Sequence, residues 1–208
     1  PGQNANAVAE LVFRMLIYAI RNFYDGSSGT ELLGKTLGIH AYGNVGRNVA
    51  RIAKGMGMKV IAYDAYCRDT DIQADGVEPT CSAKVLYEKS DLLSINIPAT
   101  KETKQSINAE LLGLMPKGAV IVNTARKEVI NNEDLVKHME NDPKFKYVTD
   151  ILPDNHAEML EKFPSRYFST PKKMGAQTSE ANVNAGIAAA KQIVDFLVNG
   201  NEQFRVNK

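Results

Sequence analysis

The sequence predicts an α/β protein built on a doubly wound parallel sheet. Three observations carry that expectation. Short apolar runs alternate with helical stretches through the middle of the chain. A glycine turn sits where one apolar run meets a helix. The next apolar run ends in an acidic residue.

The elements follow in order. Residues 5–22 read as a helix, with Val8, Val12, Met15, Leu16 and Ala19 on one stripe. The stretch YDGSSGTELLGK is a loop. Apolar runs then stand at 36–41, 58–63, 92–97, 118–123 and 146–149. Helical stretches are expected between them, near 44–56, 82–89, 106–114 and 132–140. Asn131 or Asn132 is placed to cap the fourth, with Glu133 and Asp134 in its first turn. Near-continuous apolar strands separated by helices imply a parallel sheet covered on both faces. Right-handed crossovers then wind it doubly. Residues 178–198 form a last helix, with Gly200 as its stop.

Composition narrows the function classes. The chain has 208 residues, of which 44% are hydrophobic and 24% charged, as in an ordinary globular domain. A formal net charge of +1 and scattered lysines give no field for nucleic acid or a membrane surface, and neither partner is expected. Glu10 and Arg14 interrupt AVAELVFRMLIYAI, the longest apolar stretch, so a spanning helix is not expected there. Cys67 and Cys81 do not make a disulfide framework, and a cytoplasmic, reducing location is the expectation. The chain opens at Pro1 without a Met, so a segment upstream is expected to be missing.

The stretch GIHAYGNVGR, residues 38–47, carries the chemistry. Gly43 lets backbone approach a pyrophosphate, and Gly46 lets the helix pack close to the strand. The N–H groups of residues 44–46, with the helix dipole, suit phosphates. Ala41 stands where the first glycine of such a turn is usual. It is tolerable if its φ is negative, which is the expectation here. Asp64 falls 18 residues after Gly46, at the end of the second strand. A carboxylate there accepts the ribose hydroxyls of NAD and repels the 2′-phosphate of NADP. Arg68, close by, blurs that preference. NAD is the expected cofactor, and no metal is expected.

Five stretches extend the pattern: NANAVAE at 4–10, LLGKTLGIHAYGNVGR at 32–47, INIPATKETKQSIN at 95–108, VNTAR at 122–126 and TPKKMGAQTSEA at 170–181. Together they resemble the D-2-hydroxyacid dehydrogenases, and span nearly the whole chain in family order. The lysine-containing ending is similar to the short D-3-phosphoglycerate dehydrogenases. The resemblance implies a Rossmann-like NAD-binding domain over residues 1–175, beginning at a crossover helix. Residues 176–208 are then a C-terminal helix and tail returning toward a substrate domain. The N-terminal part of that substrate domain, roughly a hundred residues, is absent from this chain. A homodimer through the NAD-binding domain is implied, partly through the first helix.

The resemblance also implies roles. Gly43, Asn44, Val45 and Gly46 meet the pyrophosphate and Asp64 the adenosine ribose. Pro98 and Thr103 lie along the adenosine side. Thr124 and Ala125 present backbone to the nicotinamide ribose, and Asp150 receives the carboxamide. Arg126 holds the substrate carboxylate and carbonyl as a two-pronged donor.

The family's acid–base histidine, after Thr-Pro, is replaced by lysine. Counting from Pro171 selects Lys172, which is favoured because the proline fixes the geometry before it. Counting back from Gly175 selects Lys173. The family's glutamate partner has no counterpart, since Asn155 stands at its place. Asp154 is the nearest carboxylate and Glu158 another, while His156 reads more readily as a surface or capping residue. The implied reaction is NAD-dependent oxidation of a D-2-hydroxyacid. First choice is 3-phosphoglycerate to 3-phosphohydroxypyruvate, the first step of serine biosynthesis. Glycerate, glyoxylate and D-lactate remain alternatives. The fragment alone is expected to bind NAD and turn nothing over. Two other readings stand beside this one. One is an NAD-sensing corepressor that uses the same fold as a dimerisation switch. The other, a methyltransferase-like fold, leaves VNTAR and TPKK unexplained.

Overall fold

The computed structural model describes residues 2–205; the last three residues of the expected C-terminal tail lie outside the described range. Seven parallel strands form one sheet in the order β3-β2-β1-β4-β5-β6-β7. Five are the expected runs: β1 Thr36–His40, β2 Lys59–Tyr63, β4 Leu92–Ile95, β5 Val120–Asn123 and β6 Lys146–Thr149. Two edge strands extend them, β3 Glu78–Pro79 and β7 Tyr167–Ser169. The helices are α1 Ala5–Ile20, α2 Asn44–Gly55, α3 Asp69–Ala74, α4 Ala83–Lys89, α5 Ala109–Leu114, α6 Asn132–Asn141, α7 His156–Lys162 and α8 Ser179–Asn199.

The sequence explains why these elements start and stop where they do. Asn131, rather than Asn132, caps α6 by accepting from Asp134 N–H. Asn108 accepts from Glu110 and Leu111, so α5 begins later than its apolar pattern suggests. Gly200 ends α8 in the left-handed conformation, φ 68. The inner strands β1, β4, β5 and β6 are almost wholly buried, which accounts for their unbroken apolar runs. Two apolar layers cover them. One packs α1 and α2 against Leu37, Ile39, Val122 and Val148. The other packs α4, α5 and α6 against Leu93, Ile95, Ile121 and Tyr147. Strand order reverses between β1 and β4, so the chain leaves these neighbours in opposite directions and opens a crevice at their carboxyl ends.

The turn after β1 corrects one expectation. Ala41 has φ 76, in the left-handed region, not the ordinary negative φ expected of it. The reason lies in its bonds. Ala41 N–H still donates to Tyr63 carbonyl at 2.8 Å, as a sixth residue of the ladder would. Its own carbonyl then lies directly under Gly46, where an added Cβ would come within 2.5 Å of it. Only a positive φ turns the chain that sharply from strand to helix. The position therefore calls for glycine conformationally, and this chain bears the strain of alanine.

His40, at the end of β1, is buried and its Nδ1 lies 3.1 Å from the Tyr87 hydroxyl. Burial pushes its pKa down to about 4, and the Asp64 charge opposes only part of that.

Two stability measurements test these points. In urea unfolding, Ala41→Gly should gain up to about 1 kcal/mol, the relieved left-handed strain less the flexibility of glycine. Gly46→Ala should lose about 1–3 kcal/mol by overpacking. Equal stability of Ala41→Gly and Gly46→Ala would refute the close-packed turn. For His40 the folded pKa is depressed. Its contribution is therefore present above the unfolded value of 6.5 and lost as pH falls toward about 4. That loss amounts to about 3 kcal/mol. A His40→Asn variant with the same loss over that range would place its origin elsewhere.

Candidate functional site

Because the strands are parallel, their carboxyl ends share one edge, and the candidate residues are the turns that leave it. Gly43 precedes α2 in extended conformation, φ −81 and ψ −158, and no side chain caps the helix there. An added Cβ on Gly43 meets nothing within 4 Å, so the backbone is bare on its outer side. Asn44 and Val45 form the first turn, and Gly46 seats it on β1. Uncapped first-turn N–H groups, the helix dipole and a bare glycine make a fit for phosphate oxygens.

Asp64 directly follows β2, and its carboxylate is engaged by the backbone. Oδ2 accepts from Tyr42 N–H at 2.7 Å, and Oδ1 accepts from Tyr66 and Cys67 N–H at 2.8 and 2.9 Å. Partial burial alone pushes its pKa up, but these three backbone donors outweigh it and hold the carboxyl below its ordinary value. The carboxylate braces two turns and keeps spare acceptor capacity on Oδ2.

Beyond β4, Pro98 is exposed, and its carbonyl accepts from Thr103 Oγ1 at 2.5 Å. Thr103 Oγ1 also accepts from Thr100 N–H at 2.7 Å. Thr103 thus shapes its own turn.

A buried network sets the other half of the edge. Asn123 ends β5; its Nδ2 donates to Arg126 carbonyl at 3.0 Å and its Oδ1 accepts from Ala125 N–H at 3.0 Å. Thr149 Oγ1 donates to Asn123 carbonyl at 2.8 Å. Nothing in the sequence reading singled out Asn123 or Thr149. Their signal was a polar residue closing an otherwise apolar strand. Asp150 follows, fully buried, with Oδ2 accepting from Gly175 and Met174 N–H at 2.8 and 3.2 Å. Its Oδ1 is buried without a hydrogen-bond partner. Burial pushes its pKa up, against the Gly175 and Met174 N–H groups and the Lys173 charge. An unpartnered buried acceptor at this place suits an amide donor.

The two lysines of the tail are held differently. Lys173 Nζ donates to the carbonyls of Thr124 and Ala125 at 3.2 and 3.0 Å. Partial burial holds that ammonium below the ordinary lysine value, with the Arg126 charge reinforcing and Asp150 and Glu128 opposing. Lys172, the residue the sequence favoured, makes no described hydrogen bond or ion pair through its ammonium. Its carbonyl accepts from Thr170 Oγ1 at 2.7 Å. Both lysines line a cavity of about 450 Å³ with Arg126, Lys127, Ile151 and Leu152.

The expected carboxylate partners are paired with other lysines. Asp154 is exposed and pairs with Lys127. Glu158 pairs with Lys162 at 3.0 Å. His156 opens α7, with Nδ1 2.7 Å from the Tyr167 hydroxyl. No helix among the described residues is long and apolar enough to cross a membrane.

Three comparisons bear on this edge. Residues 18–171 match the family model of the D-isomer specific 2-hydroxyacid dehydrogenase, NAD binding domain. The chain is 31% identical to hydroxypyruvate reductase of Thermotoga maritima, covering 93% of this chain and 67% of that protein. It is 34% identical to D-3-phosphoglycerate dehydrogenase of Synechocystis, covering 95% of this chain and 38% of that protein. Among solved structures it resembles NAD+-bound 3-phosphoglycerate dehydrogenase of Entamoeba histolytica, with a TM-score of 0.91 and 42% identity. That match covers all of this chain and 66% of the other. The chain therefore spans between about a third and two thirds of these relatives.

Asp64 gives a test of the edge itself. Asp64→Ala removes the acceptor of three backbone N–H groups and should cost about 1–3 kcal/mol of stability at neutral pH. The folded pKa is depressed, so the wild-type advantage is present above 3.8 and shrinks as pH falls through the lowered folded value. NAD affinity by calorimetry should fall as well. An Asp64→Ala variant of unchanged stability at pH 7 would remove its bracing role.

Proposed function

The chain belongs to the D-isomer specific 2-hydroxyacid dehydrogenases by their NAD-binding domain, and we propose that it serves NAD-dependent oxidation of a D-2-hydroxyacid. NAD is the cofactor of that domain. The observation that carries the reading is the meeting of Arg126, Lys173 and Asp150 at the carboxyl ends of β5, β6 and β7. When bound, NAD supplies the hydride acceptor. The protein's residues do the rest.

The α2 N-terminus with Gly43, Asn44, Val45 and Gly46 takes the diphosphate, and Asp64 takes a ribose hydroxyl on Oδ2. Pro98, in the turn that Thr103 braces, lies along the adenosine side. Thr124 and Ala125 offer backbone to the nicotinamide ribose, and Asp150 accepts from the carboxamide. Arg126 fixes the substrate carboxylate. Lys173 accepts the hydroxyl proton during oxidation and returns it during reduction. An ordinary lysine is too basic for this near neutrality, with a pKa of about 10.4. Partial burial and Arg126 both move Lys173 the useful way. This assignment prefers Lys173 to Lys172 because only the Lys173 ammonium is bound beside Thr124 and Ala125. It also leaves Asp154 with Lys127 and makes Asp150 the carboxylate nearest in effect to the working lysine.

The substrate we favour is 3-phosphoglycerate, since D-3-phosphoglycerate dehydrogenases recur among the relatives. These 208 residues alone should bind NAD and turn nothing over, the substrate domain being needed to close the cleft. The homodimer, through α1, is proposed on the same resemblance.

In the full-length protein, Lys173→Met should lower kcat for 3-phosphoglycerate about 10²–10⁴-fold, and Lys172→Met should stay within several-fold of wild type. The reverse pattern would return the role to Lys172. Turnover of glycerate but not 3-phosphoglycerate would reject the phosphorylated substrate. Absence of turnover with any hydroxyacid would favour the corepressor reading.

A further inference from the structure

The adenosine end of the cleft holds two arginines that the proposed reaction leaves unused. Arg47 lies in the first turn of α2, and Arg68 is the N-terminal flanking residue of α3. Both flank Cys67, in the turn that Asp64 braces. Cys67, which donates its N–H to Asp64 Oδ1 at 2.9 Å, has its Sγ 3.6 Å from Arg47 Nη2. Arg68 is the next residue along the chain. A planar, permanently charged guanidinium at this place is the chemistry that receives a 2′-phosphate on the ribose. It works against the discrimination that Asp64 provides.

Neither arginine is free to do so. Arg68 is held by both oxygens of Asp71, Nε to Oδ2 at 3.1 Å and Nη2 to Oδ1 at 2.9 Å. Arg47 Nη1 pairs with Asp75 Oδ2. The two pairs form one cluster: after the Arg68 bond, the Arg47 charge also helps to hold the Asp71 carboxyl below its ordinary value. Lys54 Nζ donates to the Asp75 carbonyl, which ties a third cation to the same segment. Asp71 lies within α3 and Asp75 is its C-terminal flanking residue. One short acidic segment thus holds every cation named here.

We propose that α3 is a specificity element of the cofactor site: Asp71 and Asp75 hold Arg68 and Arg47 away from a ribose 2′-phosphate and so favour NAD over NADP. They are positioning residues, acting through the arginines. The proposal rests on the reading of Asp64 as the ribose acceptor.

Magnitude decides how strong the device is. The Arg68 and Asp71 side chains are 78% and 39% exposed, and those of Arg47 and Asp75 39% and 42%. Ion pairs this exposed are worth at most about fivefold each. They tune a preference that Asp64 sets. Because the pairs share charges, their effects should not add fully.

The test is calorimetry of NAD and NADP on this chain, with Asp71→Asn, Asp75→Asn, the double variant, and the double variant carrying Arg68→Ala and Arg47→Ala. NAD affinity should stay within about twofold, which also reports that each variant is folded. NADP affinity should rise up to about fivefold per single change and further in the double. The gain should weaken with added salt and vanish when the arginines are removed. Asp71→Glu should keep the wild-type ratio. If Asp75→Asn does not fold, Asp71→Asn carries the test alone. Unchanged NADP affinity in variants that still bind NAD overturns the proposal and leaves the Asp64 reading intact. Parallel changes in both affinities reveal a merely structural role and overturn it too. Failure of the wild-type chain to bind NAD overturns the underlying reading instead.

Discussion

The functional edge depends on one carboxylate that serves the backbone before it serves any ligand. Asp64 takes N–H groups from the turn after β1 and from the turn after β2. Those turns flank the crevice side of the sheet, and Arg47 adds a second link between them, over the Tyr42 ring and beside Cys67 Sγ. The brace explains how Ala41 is held in a left-handed conformation. Its own N–H is fixed to Tyr63 and the next N–H is fixed to Asp64. With both bonds in place, α2 must start under Gly43, with its N–H groups facing out. A carboxylate outside this geometry would be costly to half-bury; three donors make it favourable and keep it ionised. The shape of this end is thus inseparable from local folding.

The opposite end uses the same device with different residues. Asn123 and Thr149 close two neighbouring strands, Asp150 follows the second, and each gives a polar atom to the backbone around it. Asp150 pins residues 174 and 175, while Thr170 Oγ1 pins the carbonyl of residue 172. Between two such pins, residue 173 has little choice of direction, and its long side chain runs back to Thr124 and Ala125. Arg126 is anchored through its own carbonyl by Asn123. Buried amide, hydroxyl and carboxylate groups therefore aim the two cations.

This also explains what was legible in the sequence. The inner strands were, because burial on both faces writes itself as an unbroken apolar run. The edge strand β3 is two residues, Glu78–Pro79, and carries no pattern to read. Helix α3, DTDIQA, buries only Ile72, so no apolar stripe announces it. The glycine turn was legible as a motif, but the φ of Ala41 was not. Residue type gives a preference, whereas the Tyr63 and Asp64 bonds impose the angle. The choice between Lys172 and Lys173 was open for a related reason. Proline fixes the backbone before it, but the pins on either side of residue 173, whose ammonium reaches Thr124 and Ala125, come from Thr170 and Asp150, and the second of these is distant in sequence.

Along the edge acceptors, donors and cations stand at separate places, which a chain of net charge +1 achieves without any global field. Asp64 offers a negative acceptor. The uncapped start of α2 offers N–H groups and the positive end of a helix dipole. Asp150 offers a buried acceptor with one oxygen unpartnered. Arg126 and Lys173 then offer positive charge. The edge thus offers acceptor, donor and cation groups that a ligand of mixed polarity could meet in different places. The arginines that flank Cys67 add cations at the end where Asp64 offers an acceptor. Their pairing with Asp71 and Asp75 restores the order. Polarity along the cleft is thus maintained by local pairs rather than by total charge. The residues that maintain it lie on the least conspicuous helix of the fold.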